Sequence, residues 1–113
     1  MAQQLTIVMA QLNFLVGDID GNTDLVIASA RRAITEQSAD MIVFPELTLV
    51  GYPPEDLLLR PSLQVRVEKA LAKILAANLD IFLVLGYPFR QSAKLYNALS
   101  VIKKRECLGV YLK

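Results

Sequence analysis

Met41-Ile42-Val43-Phe44-Pro45-Glu46 decides how the chain is read. Four apolar residues in succession, with no polar alternate, are what a central strand covered on both faces requires. Pro45 has no N–H to give to a ladder and closes that strand. Leu5 to Ala10 and Ile81 to Gly86 carry the same signature on either side of it. Between these runs lie stretches of helical period. Ile27, Ala30 and Ile34, flanked by Val26 and Ala33, form one stripe, with Arg31, Arg32 and Glu36 facing away. Gly17, Asp18, Asp20 and Gly21 supply turn chemistry before it, and Asn22 or Thr23 is expected to cap it. Leu63, Val67, Ala70, Ile74 and Ala77 form the second stripe, with Ser62 as its expected cap and Glu68, Lys69 and Lys73 towards solvent.

Farther out, Tyr96 to Ile102 and Leu108 to Tyr111 read as two more strands, joined by the charged turn Lys103 to Glu106. That turn reads as a solvated hairpin tip that discourages edge pairing. The order β-α-β-α-β followed by a hairpin predicts an α/β domain with parallel strands and right-handed crossovers. The connection from Glu46 to Pro61 is long, and loops of such length are often functional.

The chain has 113 residues, at most one domain. Its apolar share of 54%, charged share of 20% and mean hydropathy of +0.40 exclude disorder. They are high for so small a globule. Two helices cover only one face of a sheet, so the other face is expected to need a partner layer. The segment is therefore expected to be the N-terminal part of a larger fold.

A net charge of +1 and 7% aromatics, with no basic stripe, argue against a nucleic-acid surface. The absence of histidine excludes the usual zinc sites and Ser-His-Asp chemistry within these residues. One cysteine cannot make an internal disulfide. No Lys or Arg precedes Arg31, and no apolar run reaches the roughly 18 residues of a membrane span. A cytoplasmic location without membrane contact is expected. Asp18-Ile19-Asp20-Gly21-Asn22 alternates oxygen-bearing side chains. Thr23 and Ser29 stand where a calcium loop needs glycine and glutamate, so turn and helix cap is the better reading. No G-x-G-x-x-G follows the first strand.

Glu46 follows the carboxyl end of a buried strand, where open α/β sheets place ligand crevices. Beside apolar walls a carboxylate there has its charged form disfavoured, which suits a general base. A solvated loop acid fits the position equally well.

Val8-Met9-Ala10-Gln11-Leu12-Asn13, Val16-Gly17-Asp18, Phe44-Pro45-Glu46-Leu47 and Gly51-Tyr52 together resemble the opening of a nitrilase-superfamily carbon–nitrogen hydrolase. Gly51-Tyr52-Pro53-Pro54-Glu55-Asp56-Leu57-Leu58, Leu95-Tyr96-Asn97 and Leu108-Gly109-Val110-Tyr111-Leu112-Lys113 narrow the likeness. They are similar to the glutaminase domain that opens the glutamine-dependent NAD synthetases. The resemblance spans essentially the whole chain. It implies the N-terminal half of an α-β-β-α sandwich, cut before the nucleophile, and a Glu-Lys-Cys triad. Glu46 matches the base and Lys113 the lysine that holds the oxyanion. Tyr52 either lines the amide pocket or packs beneath the loop.

The family's nucleophilic cysteine lies beyond the lysine. Cys107 precedes Lys113 at a strand edge and reads as a small hydrophobe. These residues alone are thus expected to be inactive. The resemblance further implies glutamine as substrate, a synthetase domain using ATP and magnesium elsewhere in the same polypeptide, no cofactor or metal within this segment, and a homo-oligomer. A stand-alone amidase of the same superfamily and an inert folding or assembly module are the competing readings.

Overall fold

The computed structural model describes residues 4–51 and 61–113. Its elements run β1 (Ile7–Met9), α1 (Ile19–Gln37), β2 (Met41–Val43), α2 (Leu63–Ala76), β3 (Leu79–Gln91), β4 (Lys94–Lys104) and β5 (Glu106–Leu112). The strands form one five-stranded sheet in sequence order. β1, β2 and β3 pair in parallel, and β3, β4 and β5 pair antiparallel. The expected α/β order with a terminal hairpin is the order found.

Register fixes which residues share a face, because partners opposite one another in a ladder point the same way. The row Val8, Ile42, Leu83 and Ile102 lies towards the helices. Val26 and Ala30 of α1 and Val67 and Ile74 of α2 are buried with it in one core. The adjacent row Met9, Val43, Val84, Val101 and Gly109 crosses all five strands on the opposite face. That face is uncovered: Ile7 is 48% and Met9 65% exposed. The expectation that the first strand is covered on both faces is therefore not met by these residues. Both helices pack on one side, so only alternate residues of β1 find neighbours.

Three expectations about boundaries are corrected. Helix α1 starts a turn earlier than Asn22 or Thr23, with Asp18 as its cap accepting from the Gly21 N–H at 3.0 Å. Asn22 and Thr23 are instead buried inside the helix. Ser62 does stand at the α2 N-cap position, but its side chain makes no capping bond. Gly86 does not end β3; the strand continues to Gln91 and turns tightly through Ser92 and Ala93, with Gln91 paired to Lys94. Tyr87, next to Gly86, is buried on the helix side and bonded to the Ser100 hydroxyl. Burial pushes its phenol above the usual range, against the lowering effect of that bond.

Candidate active site

The turn that carries Glu46 begins where the ladder stops. Phe44 still donates to the Val84 carbonyl at 3.0 Å, and Pro45 then breaks the pairing. Residues 46–50 form a compact turn in which the Thr48 hydroxyl donates to the Pro45 carbonyl and the Gly51 N–H to the Leu47 carbonyl at 3.0 Å. Leu47, directly after Glu46, takes a left-handed φ of 55°. An L side chain resists that conformation at a cost of roughly 1–2 kcal/mol, so neighbouring structure has to hold it.

The holding contacts come from both sides. Asn22, 3% exposed, accepts from the Leu15 N–H at 3.0 Å. It donates to the carbonyls of Leu15 at 2.8 Å and Leu49 at 3.1 Å. Its carboxamide thereby staples the turn to the segment entering α1, a role that reading it as a cap missed. Gly17 N–H donates to the Val50 carbonyl at 2.9 Å. Beneath the turn, Gly86 lets the backbone come close: a Cβ there would lie 2.9 Å from the Leu47 nitrogen and 3.3 Å from the Glu46 Cα.

Glu46 thus stands over the uncovered face of the sheet. Its side chain is exposed, with apolar residues on either side, Leu99 and Tyr111 in one hollow and Leu12 and Phe14 in another, that do not enclose it. Its Oε1 accepts from Asn97 Nδ2 at 2.5 Å. Asn97 is half-buried in β4, and its backbone exchanges both hydrogen bonds with Lys113: the Asn97 N–H donates at 3.1 Å and the Lys113 N–H at 3.0 Å. Asn97 and Lys113 are therefore directly opposed and share a face. Glu46, Gly86, Asn97, Leu99, Tyr111 and Lys113 line one cleft of about 260 Å³. A smaller hollow of about 130 Å³ lies on the other side of Glu46, towards Asn13, Phe14 and Thr48.

Of the residues singled out from sequence, Glu46 and Lys113 meet at that cleft. Tyr52 lies outside the described residues, as does most of the long connection around it. Cys107 is exposed on β5, pairs with Ile102 and so belongs to the helix-side row, away from the cleft. Its thiol donates weakly to the Gly109 carbonyl at 3.6 Å. Asn97 entered the sequence reading only as one letter of a motif; its contact with Glu46 joins residues far apart in the chain and leaves no local periodicity. A larger cleft of about 320 Å³ lies along the β1 edge, where the charged residues Arg32 and Glu36 pair with each other at 3.6 Å. Among the described residues no three or more His, Cys, Asp or Glu side chains gather as metal ligands would. No helix among the described residues is long and apolar enough to cross a membrane.

Residues 6–113 match the family model described as carbon–nitrogen hydrolase. The chain is 45% identical over 112 residues to a glutamine-dependent NAD(+) synthetase from Xanthomonas campestris, covering 99% of this chain and 20% of that protein. Its fold is similar to the structure of glutamine-dependent NAD+ synthetase from Acinetobacter baumannii in complex with ADP. There the TM-score is 0.88 at 41% identity, over 95% of this chain and 20% of that one. A variant of a nitrilase-superfamily amidase from Nesterenkonia AN1 superposes with a TM-score of 0.84 at 25% identity, over 96% of this chain and 42% of that one. The chain spans about a fifth of the length of the curated relatives it matches.

Proposed function

The chain belongs to the carbon–nitrogen hydrolase family, and from that premise we propose that it furnishes the base and the oxyanion-holding lysine of a glutaminase. The ammonia released serves the ATP-dependent conversion of deamido-NAD to NAD. The observation that carries this reading is the meeting of Glu46 and Lys113 at one cleft, in a chain whose relatives are glutamine-dependent NAD synthetases.

In this reading the nucleophile is a cysteine beyond Lys113, in the part of the relatives that this chain does not span. Glu46 takes the thiol proton, and the thiolate attacks the side-chain amide carbon of glutamine. The tetrahedral oxyanion forms beside the Lys113 ammonium, a cation that stabilises the negative charge as it develops. Glu46 returns the proton to the departing nitrogen, the C–N bond breaks and ammonia leaves. Water, deprotonated by Glu46, then hydrolyses the thioester to glutamate and restores the thiol. A synthetase domain in the same polypeptide binds ATP and magnesium, and the assembly is a cytoplasmic homo-oligomer. A stand-alone amidase would run the same steps on another amide; the 45% identity to the Xanthomonas campestris synthetase, against 25% to the amidase, favours glutamine.

The test uses the full-length protein and follows ammonia release from glutamine, and NAD formation with glutamine or ammonium as nitrogen source. Glu46→Gln and Lys113→Met are expected to lower the glutamine-dependent rates by about 10²–10⁴-fold, while ammonium still supports NAD formation. Wild-type glutamine turnover in Glu46→Gln would overturn the assignment of the base. Amide hydrolysis without any NAD formation would favour the amidase.

A further inference from the structure

Glu46 and Lys113 reach the cleft from different elements, one from an exposed turn after β2 and the other from the end of β5, and Asn97 is hydrogen-bonded to both. We infer that Asn97 is the positioning residue that sets the Glu46 carboxylate against Lys113. This rests on the glutaminase reading and goes beyond it by naming the group that holds the base.

The geometry divides the work between main chain and side chain. The backbone of Asn97 exchanges both hydrogen bonds with Lys113 and stands opposite Pro88 of β3 in a pair without hydrogen bonds. From that rigid ladder its Nδ2 donates to Glu46 Oε1 at 2.5 Å. A glutamate on an exposed turn otherwise loses rotamer freedom only when it reacts, so pre-setting its torsions removes that cost beforehand. A carboxamide suits the task chemically. It donates without a charge, so it neither neutralises the carboxylate nor duplicates the lysine cation. It also occupies one carboxylate oxygen and leaves Oε2 for the proton. Because the Lys113 backbone hangs on the same residue, Asn97 ties the base to the strand that carries the cation.

The titratable groups lining the cleft with Glu46, among the described residues, are Lys113 and Tyr111. Neither is altered by substitution at Asn97, but Asn97→Asp adds a carboxyl of its own, so in that variant the pH profile reports the pair it forms with Glu46. The experiment compares Asn97→Ala, Asn97→Asp and Glu46→Gln in the full-length protein. Removing the donor is expected to lower kcat for glutamine hydrolysis by about 10²-fold, the size of loss that a misplaced reacting group causes, with KM changed far less. Asn97→Asp keeps the shape but sets a like charge beside Glu46, which disfavours the ionised base. The acid limb of kcat/KM is therefore expected to move to higher pH. Ammonium-driven NAD formation and thermal unfolding are expected to stay near wild type. An acid limb that does not move in Asn97→Asp, or a kcat loss matched by an equal loss of ammonium-driven synthesis, would overturn the positioning role. Those results, with Glu46→Gln inactive, remove Asn97 alone. A fully active Glu46→Gln removes the glutaminase reading and this inference with it.

Discussion

Gly86 is the residue on which the height of the Glu46 turn above the sheet depends. Its φ is not left-handed, so the requirement is one of space: a methyl group would press on the backbone of Glu46 and Leu47, at 3.3 and 2.9 Å. Backbone cannot swing aside as a flexible side chain can. Gly86→Ala is therefore expected to lift the turn and carry Glu46 away from Asn97. In the full-length protein, glutamine hydrolysis should fall by about 10²-fold in kcat, with ammonium-driven NAD formation retained. A wild-type kcat in this variant would mean that the turn does not rest where it is described. At this scale the sequence was legible wherever the reason for a residue is local. Pro45 ends pairing in any context, so the acid after it stood out. Gly86 looked like the end of a strand because its real neighbour, the Glu46 turn, is remote in sequence. Asn22 looked like a cap because its type favours caps, whereas burial turned its carboxamide into a cross-link between two loops.

Among the elements, the β3–β4 hairpin departs furthest from what the residues suggested. Ser92 and Ala93 both have positive φ, 51° and 66°, as a two-residue turn matching the strand twist demands. Neither is the Asn or Gly that favours such angles, so no turn signal marks the place. The ladder from Leu83 to Gln91 against Lys94 to Ile102 overrides the local preference. That places avoidable strain at Ala93. Ala93→Gly is expected to stabilise the fold by about 1 kcal/mol, seen as a higher midpoint in denaturant with unchanged slope. A lower midpoint would contradict the assigned turn. The helices were easier to read, since α1 and α2 owe their burial to stripes at helical spacing. Only the start of α1 was misplaced, because Asp18 caps it and frees Asn22 for the loops.

For the molecule as a whole, register divides the sheet into a helix-packed face and a bare one, and the cleft lined by Glu46, Asn97 and Lys113 lies on the bare one. The bare face carries Ile7, Met9, Leu99 and Tyr111, the last 68% exposed. The same apolar excess was visible in composition before any strand was placed. What composition leaves open is which face goes uncovered, because a strand of unbroken hydrophobics looks alike from both sides. Contiguous apolar surface of this kind binds apolar dyes and drives association. Residues 1–113, purified alone, are expected to enhance the fluorescence of such a dye and to scatter light as more than a monomer. Lysines at Met9 and Leu99 should suppress both effects. Their side chains lie across the sheet from the helix-side core, so circular dichroism should keep its helical signal. A clean monomer that ignores the dye would contradict the two-faced description. In that event the exposure of Glu46 on this face would need another explanation, because the same register that strips Met9 of neighbours also leaves the cleft open.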